Sequence, residues 1–106
     1  VKERRQHPRL SRWFDGSWRG ASGGNTCRVS DISVSGCFVH SLAVPQAGEE
    51  TVVTIALGPE HALSLTGNVV YVEKSMGFGV KFREISQEDL DCIGHLFEIF
   101  AKAAAG

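Results

Sequence analysis

The stretch LSLTGNVVYVEKSMGFGVKF, residues 63–82, decides the fold. Leu63, Leu65, Val69 and Tyr71 recur at even spacing, so a long strand with those four on one face is predicted over Leu63 to Val72. Lys74-Ser75 turns the chain. Met76 to Phe82 then returns with Phe78, Val80 and Phe82 alternating, a second strand antiparallel to the first. The Gly77/Gly79 pair inside it opens no helix, so it is no nucleotide fingerprint; its role is close backbone packing or strand curvature.

Working back from this hairpin, the pattern stays β. Glu50 to Leu57 is β-branched and apolar at its centre and stops at Gly58-Pro59-Glu60. Pro45-Gln46-Ala47-Gly48 reads as a turn, and Cys37 to His40 as the start of a strand. Ser33-Val34-Ser35-Gly36 turns the chain after an alternating strand over Thr26 to Ile32. Ala21 to Asn25 has the composition of a loop, and Ser11 to Arg19 that of a strand with a bulge or early hairpin at Asp15-Gly16. Trp13, Phe14 and Trp18 there are expected to pack the barrel, with one indole free to flank a ligand.

Working forward, the period changes. Ser86-Gln87-Glu88-Asp89 has the form of a capping box, and Leu90, Ile93, Phe97 and Phe100 follow at helical spacing, flanked by Leu96 and Ile99. Five to six short strands and one helix in 106 residues point to a small antiparallel barrel with a docked C-terminal helix. The expected divisions are an Arg-rich flexible arm over 1–11, a barrel over 12–84 and a helix over 86–104, all in a single domain spanning 1–106.

The net charge of −1 conceals an asymmetry. Residues 1–28 hold seven Lys/Arg against Glu3 and Asp15, a balance of +5, while the remainder holds four bases against ten acids, a balance of −6. An anionic partner for the basic end follows from that asymmetry. Within the arm, Arg4, Arg5 and Arg9 offer rigid forks of donors suited to phosphate oxygens or to the O6/N7 edge of guanine. Pro8 keeps Arg5 and Arg9 off one helical face and makes the arm an extended or turning loop. Further on, an extended Asp31-Ile32-Ser33 would set a carboxylate beside a hydroxyl, with Gly36 allowing a sharp turn or close ligand approach. A carboxylate can accept from guanine N1–H and N2–H while an arginine donates to the opposite edge.

Other chemistry finds little support. The three cysteines Cys27, Cys37 and Cys92 lack paired spacing and read as small core hydrophobes in a reducing compartment; a zinc site from Cys27, Cys37 and His40 lacks the usual ligand pairs. His7, His40, His61 and His95 are scattered, and Glu49-Glu50 reads as solvated charge. No nucleophile–base pair can be assembled, so an enzyme is not expected, and no cofactor or metal is called for. No signal peptide is visible and no apolar run approaches the ~20 residues of a membrane span, so a cytoplasmic protein, or the cytoplasmic domain of a longer one, is expected.

Arg5-Gln6-His7-Pro8-Arg9 and Asp31-Ile32-Ser33-Val34-Ser35-Gly36 resemble the RxxxR and (D/N)xSxxG motifs of the PilZ domain family. Val69 to Glu73 and Gly77 to Phe82 are similar to later parts of that family, so the resemblance covers essentially the whole chain. It implies a six-stranded β-barrel, mainly β, that binds the bacterial second messenger cyclic di-GMP. By position it implies that Arg5 and Arg9 contact phosphate and guanine, and that Asp31, Ser33 and Gly36 seat a guanine and adjoining phosphate. Arg4, just before the first motif arginine, goes in similar proteins with a stacked pair of ligand molecules. Tyr71 stands where related sequences often carry an aromatic, either against a purine or as a barrel residue. Partners are then cyclic di-GMP and an output protein or fused domain, with nucleic acid and membrane insertion not expected. Two other readings are a small barrel binding single-stranded nucleic acid, weakened by the acidic remainder of the chain, and an adaptor using the apolar helix alone.

Overall fold

The computed structural model describes residues 12–58 and 60–105, with the side chains of 99–105 outside the description. The expected arm over 1–11, and with it Arg4, Arg5 and Arg9, lies outside the described residues. Six strands, β1 Phe14–Gly20, β2 Gly23–Ser30, β3 Gly36–His40, β4 Glu50–Gly58, β5 His61–Glu73 and β6 Gly77–Phe82, precede one helix, α1 Gln87–Ala105. The strands close into a barrel in the order β1-β2-β3-β6-β5-β4, β4 pairing back onto β1, with every pairing antiparallel. Within that ring β6 is paired on both edges, to β3 and to β5, and so offers no template for another chain.

Alternation of side chains fills the interior. Thr51, Val53 and Ile55 of β4 point inward, as do Leu63, Leu65 and Val69 of β5 and Phe78, Val80 and Phe82 of β6. Val29, Val39 and Trp18 complete the core from the other half of the barrel. The Trp18 ring meets Phe78 edge-on at 5.2 Å, and its Nε1–H donates to Ser41 Oγ at 3.1 Å, so the indole is buried without an orphaned donor.

Two departures from the sequence reading fall at the front. Asp15-Gly16 is no turn: both residues lie within β1, and Asp15 faces Arg28 across the ladder in a 3.7 Å ion pair. The turn is Ala21-Ser22, between Gly20 and Gly23, so Gly23 to Asn25 is strand rather than loop. Glu49 holds that turn from outside. Its carboxylate accepts from Ser22 N and Ser22 Oγ, both at 2.9 Å, and from Gln46 N at 3.2 Å, and these bonds hold its pKa below the usual carboxylate value. Glu50 pairs with Arg83. Neither acid is the merely solvated charge that its neighbours in sequence suggest.

The helix begins as its capping box indicates: Ser86 Oγ accepts from Asp89 N at 3.1 Å. Ile93 and Leu96 are buried, Leu90 and Phe97 half-buried, and Ile93 belongs to the barrel core, so the apolar face docks on the sheet.

The third departure is a β-bulge. In β5 the register slips between Val69, opposite Val80, and Tyr71, opposite Gly79. One extra residue reverses the alternation, and Tyr71 leaves the face of Leu63, Leu65 and Val69 for the outside, where it is 47% exposed. This slip builds the surface described next.

Candidate functional site

The corner between β2 and β3 carries Asp31, Ser33 and Gly36. It is not extended. Asp31 has φ +54°, a left-handed conformation that aspartate tolerates, and this reverses the chain immediately after β2. Asp31 stays half-buried at the surface while Ser33 is fully buried. The Ser33 hydroxyl accepts from Ser35 N at 3.1 Å and Gly36 N at 3.3 Å and lies 3.0 Å from Ser35 Oγ. Ser33 N in turn donates to Gly36 O at 2.9 Å, and Phe82 N to Ser35 O at 2.9 Å. Ser33 thus ties the turn together from within, and the carboxylate and hydroxyl expected side by side point to different surroundings. Gly36 has a structural reason of its own. A Cβ there would lie 2.2 Å from the Val80 carbonyl oxygen, so β3 and β6 approach this closely only over glycine.

From the corner an aromatic strip crosses the outside of the barrel. The Trp13 and His40 rings stack at 4.1 Å with 16° between planes; Phe38 meets His40 at 4.8 Å and Tyr71 at 6.1 Å. The Arg28 guanidinium stands 5.9 Å from the Trp13 ring centre. Phe38 is covered by its neighbours, whereas Trp13 remains 56% exposed. Of the expected aromatic cluster, then, Trp18 packs the core and Trp13 faces out. The Tyr71 ring lies over Gly79, its Cε1 only 2.3 Å from where a Cβ would stand, so Gly79 serves close packing by a side chain.

Tyr71, Gly79, Gly36, Ser35 and Lys81 line an open groove of about 230 Å³. Three of the sequence-derived site residues, Asp31, Ser33 and Gly36, share the corner, and Tyr71 joins them across β6. The sequence reading weighed His40 only as a zinc ligand and did not single out Lys81. Strand alternation carries the missing signal: on β3 and β6 the positions outside the Cys37/Val39 and Phe78/Val80/Phe82 sets face outward.

His40 illustrates the local electrostatics. Its Nε2 and Ser30 Oγ are 2.7 Å apart, and desolvation lowers its pKa from the ordinary 6.5, against an opposing pull from Asp31. A histidine depressed in the folded state adds stability above the unfolded pKa and loses it as pH falls through the folded value. Burial thus favours the neutral ring. Proton NMR should find His40 titrating below 6.5, and Asp31→Asn should lower it further by removing the charge that favours the imidazolium. Titration at or above 6.5 would refute this account.

Among the described residues, no group of three or more His, Cys, Asp or Glu side chains is placed to hold a metal ion. All three cysteines are free, and burial pushes the Cys27 thiol up to about 11. No described helix is long and apolar enough to cross a membrane.

Comparison with known proteins agrees with the geometry. No curated protein sequence matches the chain. Among solved structures, the Bacillus subtilis inhibitor of motility (MotI/DgrA) superposes with a TM-score of 0.64 at 22% identity, over 87% of this chain and 48% of that one. The chain thus spans about half the length of that protein, and the likeness is one of fold. The sequence profile of the PilZ domain matches residues 3–98. With a closed six-stranded antiparallel barrel, a helix behind it and this match over nearly its full length, the chain belongs to the PilZ domain family, a family of cyclic di-GMP receptors that act as ligand-binding effector domains and not as enzymes.

Proposed function

We propose that this domain is itself a cyclic di-GMP receptor whose ligand lies on the outside of the barrel, between the Arg-rich N-terminal segment and the Asp31–Gly36 corner. The observation that carries the reading is the juxtaposition of that corner with an exposed aromatic strip and an open groove, in a chain of this family. Asp31, at the surface of the corner, accepts from the guanine N1–H and N2–H. Arg5 and Arg9 bind phosphate and the O6/N7 edge by charge-assisted forks. Ser33 and Gly36 act through the corner, Ser33 by holding its turn and Gly36 by letting the ligand and β6 come close. Tyr71 offers a ring face to a purine. Arg4 adds a third guanidinium, suited to the four phosphates of a stacked ligand pair. Ligand binding orders the Arg-rich segment and changes the surface offered to an output protein or fused domain. No cofactor is required for any of these steps.

Calorimetric titration with cyclic di-GMP tests this directly. Saturable binding near two ligands per domain is expected, falling to one in Arg4→Ala, while a single-stranded oligonucleotide of matched charge binds weakly and only at low salt. Absence of heat with cyclic di-GMP, or preference for the oligonucleotide, would overturn the reading.

A further inference from the structure

The groove beside Gly36 contains a cation that neither motif includes. Lys81 stands opposite Gly36 in the β3–β6 ladder and is exposed. Arg28 and Arg83 are paired with Asp15 and Glu50, but Lys81 makes no ion pair among the described residues. Among the described residues, no acidic side chain lines the groove. This is notable in a part of the chain where acids outnumber bases ten to four after residue 28. Nor does the fold need a lysine there as protection, since Lys81 is paired with Gly36 on one side and Asn68 on the other and guards no open edge.

The geometry points to Lys81 as a phosphate-binding residue of this groove, acting on the nucleotide whose base lies against Tyr71; the inference rests on the cyclic di-GMP reading above. Three structural features support it. Gly36 and Gly79 present no side chain on two neighbouring strands, so backbone and the Tyr71 ring, rather than other side chains, line that part of the groove. The Tyr71 ring, laid over Gly79 and backed by Phe38 at 6.1 Å, is held in place with part of its surface open. Gly79, under that ring, and Lys81 are two residues apart on one face of β6, about 7 Å along the strand, comparable to the separation of base and phosphate within one nucleotide. An aromatic face and an ammonium-bearing side chain lining one groove offer partners for the two chemically distinct ends of a purine nucleotide. Lysine supplies a point charge rather than a fork, so it suits a phosphate better than a base edge.

The test is calorimetry with cyclic di-GMP on the unaltered chain, Lys81→Ala, Lys81→Glu and Lys81→Arg, at low and moderate salt, with thermal melts alongside. Lys81→Ala should weaken binding roughly three- to tenfold and Lys81→Glu by more, with a shallower salt dependence in Lys81→Ala. Lys81→Arg should restore most of the affinity, and all four melts should coincide. If the unaltered chain binds and Lys81→Glu binds equally well with the same salt dependence, the role of Lys81 is refuted while the motif reading stands. If the unaltered chain does not bind, both fall.

Discussion

Arg5→Ala and Arg9→Ala are each expected to weaken cyclic di-GMP binding by about a hundredfold or more while leaving the melting temperature within a degree or two of the unaltered domain. The size follows from what is removed. Truncating one partner of a desolvated, hydrogen-bonded charge pair costs about 2–5 kcal/mol, since the phosphate or base edge is left facing nothing, and every 1.4 kcal/mol is tenfold. Lysine at either position should recover only part of the loss, because a point charge cannot reproduce two parallel N–H bonds. Stability should not follow affinity, because the barrel strands run from Phe14 to Phe82 and the core cluster of the described residues is drawn from Trp18 to Ile93. Calorimetry and melting on the same samples separate the two quantities. Unchanged affinity in both variants would remove the arginines from the site, and parallel losses of affinity and melting temperature would reassign them to folding.

The barrel was legible because most strands announce themselves by alternation. Val53 and Ile55, Leu63 and Leu65, and Phe78, Val80 and Phe82 all point inward as their spacing requires. The reading failed where composition and pairing disagree. Gly23-Gly24-Asn25 has loop chemistry, yet the two-residue turn at Ala21-Ser22 zips these residues against β1. Asp15-Gly16 has turn chemistry, yet the β2 ladder, joined at Gly16 by β4, and the Arg28 cross-strand partner keep it straight. Local propensity loses to long-range hydrogen bonding at both places.

The site was legible only in part, for a different reason. A motif names residues but not the direction in which they point. Asp31 and Ser33 would share a face in an extended chain, and a single left-handed residue at Asp31 separates them. Tyr71 would share a face with Val69, and a single extra residue in β5 turns it outward onto Gly79. Bulges and left-handed residues leave almost no trace in hydropathy, because each changes the phase of a pattern rather than its content. Lys81 and His40 carry no motif at all. They become candidates only when the ladder sets one opposite Gly36 and the other opposite Arg28.

Phe78→Ala should destabilise the domain by about 3–5 kcal/mol, and a chain of this size has only about 5–15 kcal/mol in total. Phe78 is the largest fully buried side chain among the described residues, sits on the strand that pairs with both β3 and β5, and meets the Trp18 ring edge-on at 5.2 Å. Its neighbours cannot collapse into the vacated space, because Val39 and Val72, its ladder partners, are held by a closed ring of strands. The melting temperature should fall by roughly 15–35 °C, with the near-ultraviolet signal of Trp18 lost in the same transition. Phe78→Leu keeps most of the volume and should cost less than about 1.5 kcal/mol. The consequence reaches the outer surface, since β6 carries Gly79 and Lys81 on the opposite face from Phe78. Where enough Phe78→Ala stays folded at low temperature to be titrated, its ligand affinity should drop as well, because Tyr71 rests on a strand that no longer has a firm interior behind it. A melting temperature within 5 °C of the unaltered domain would mean that the barrel is held by its hydrogen-bonded ladders rather than by the interior they enclose.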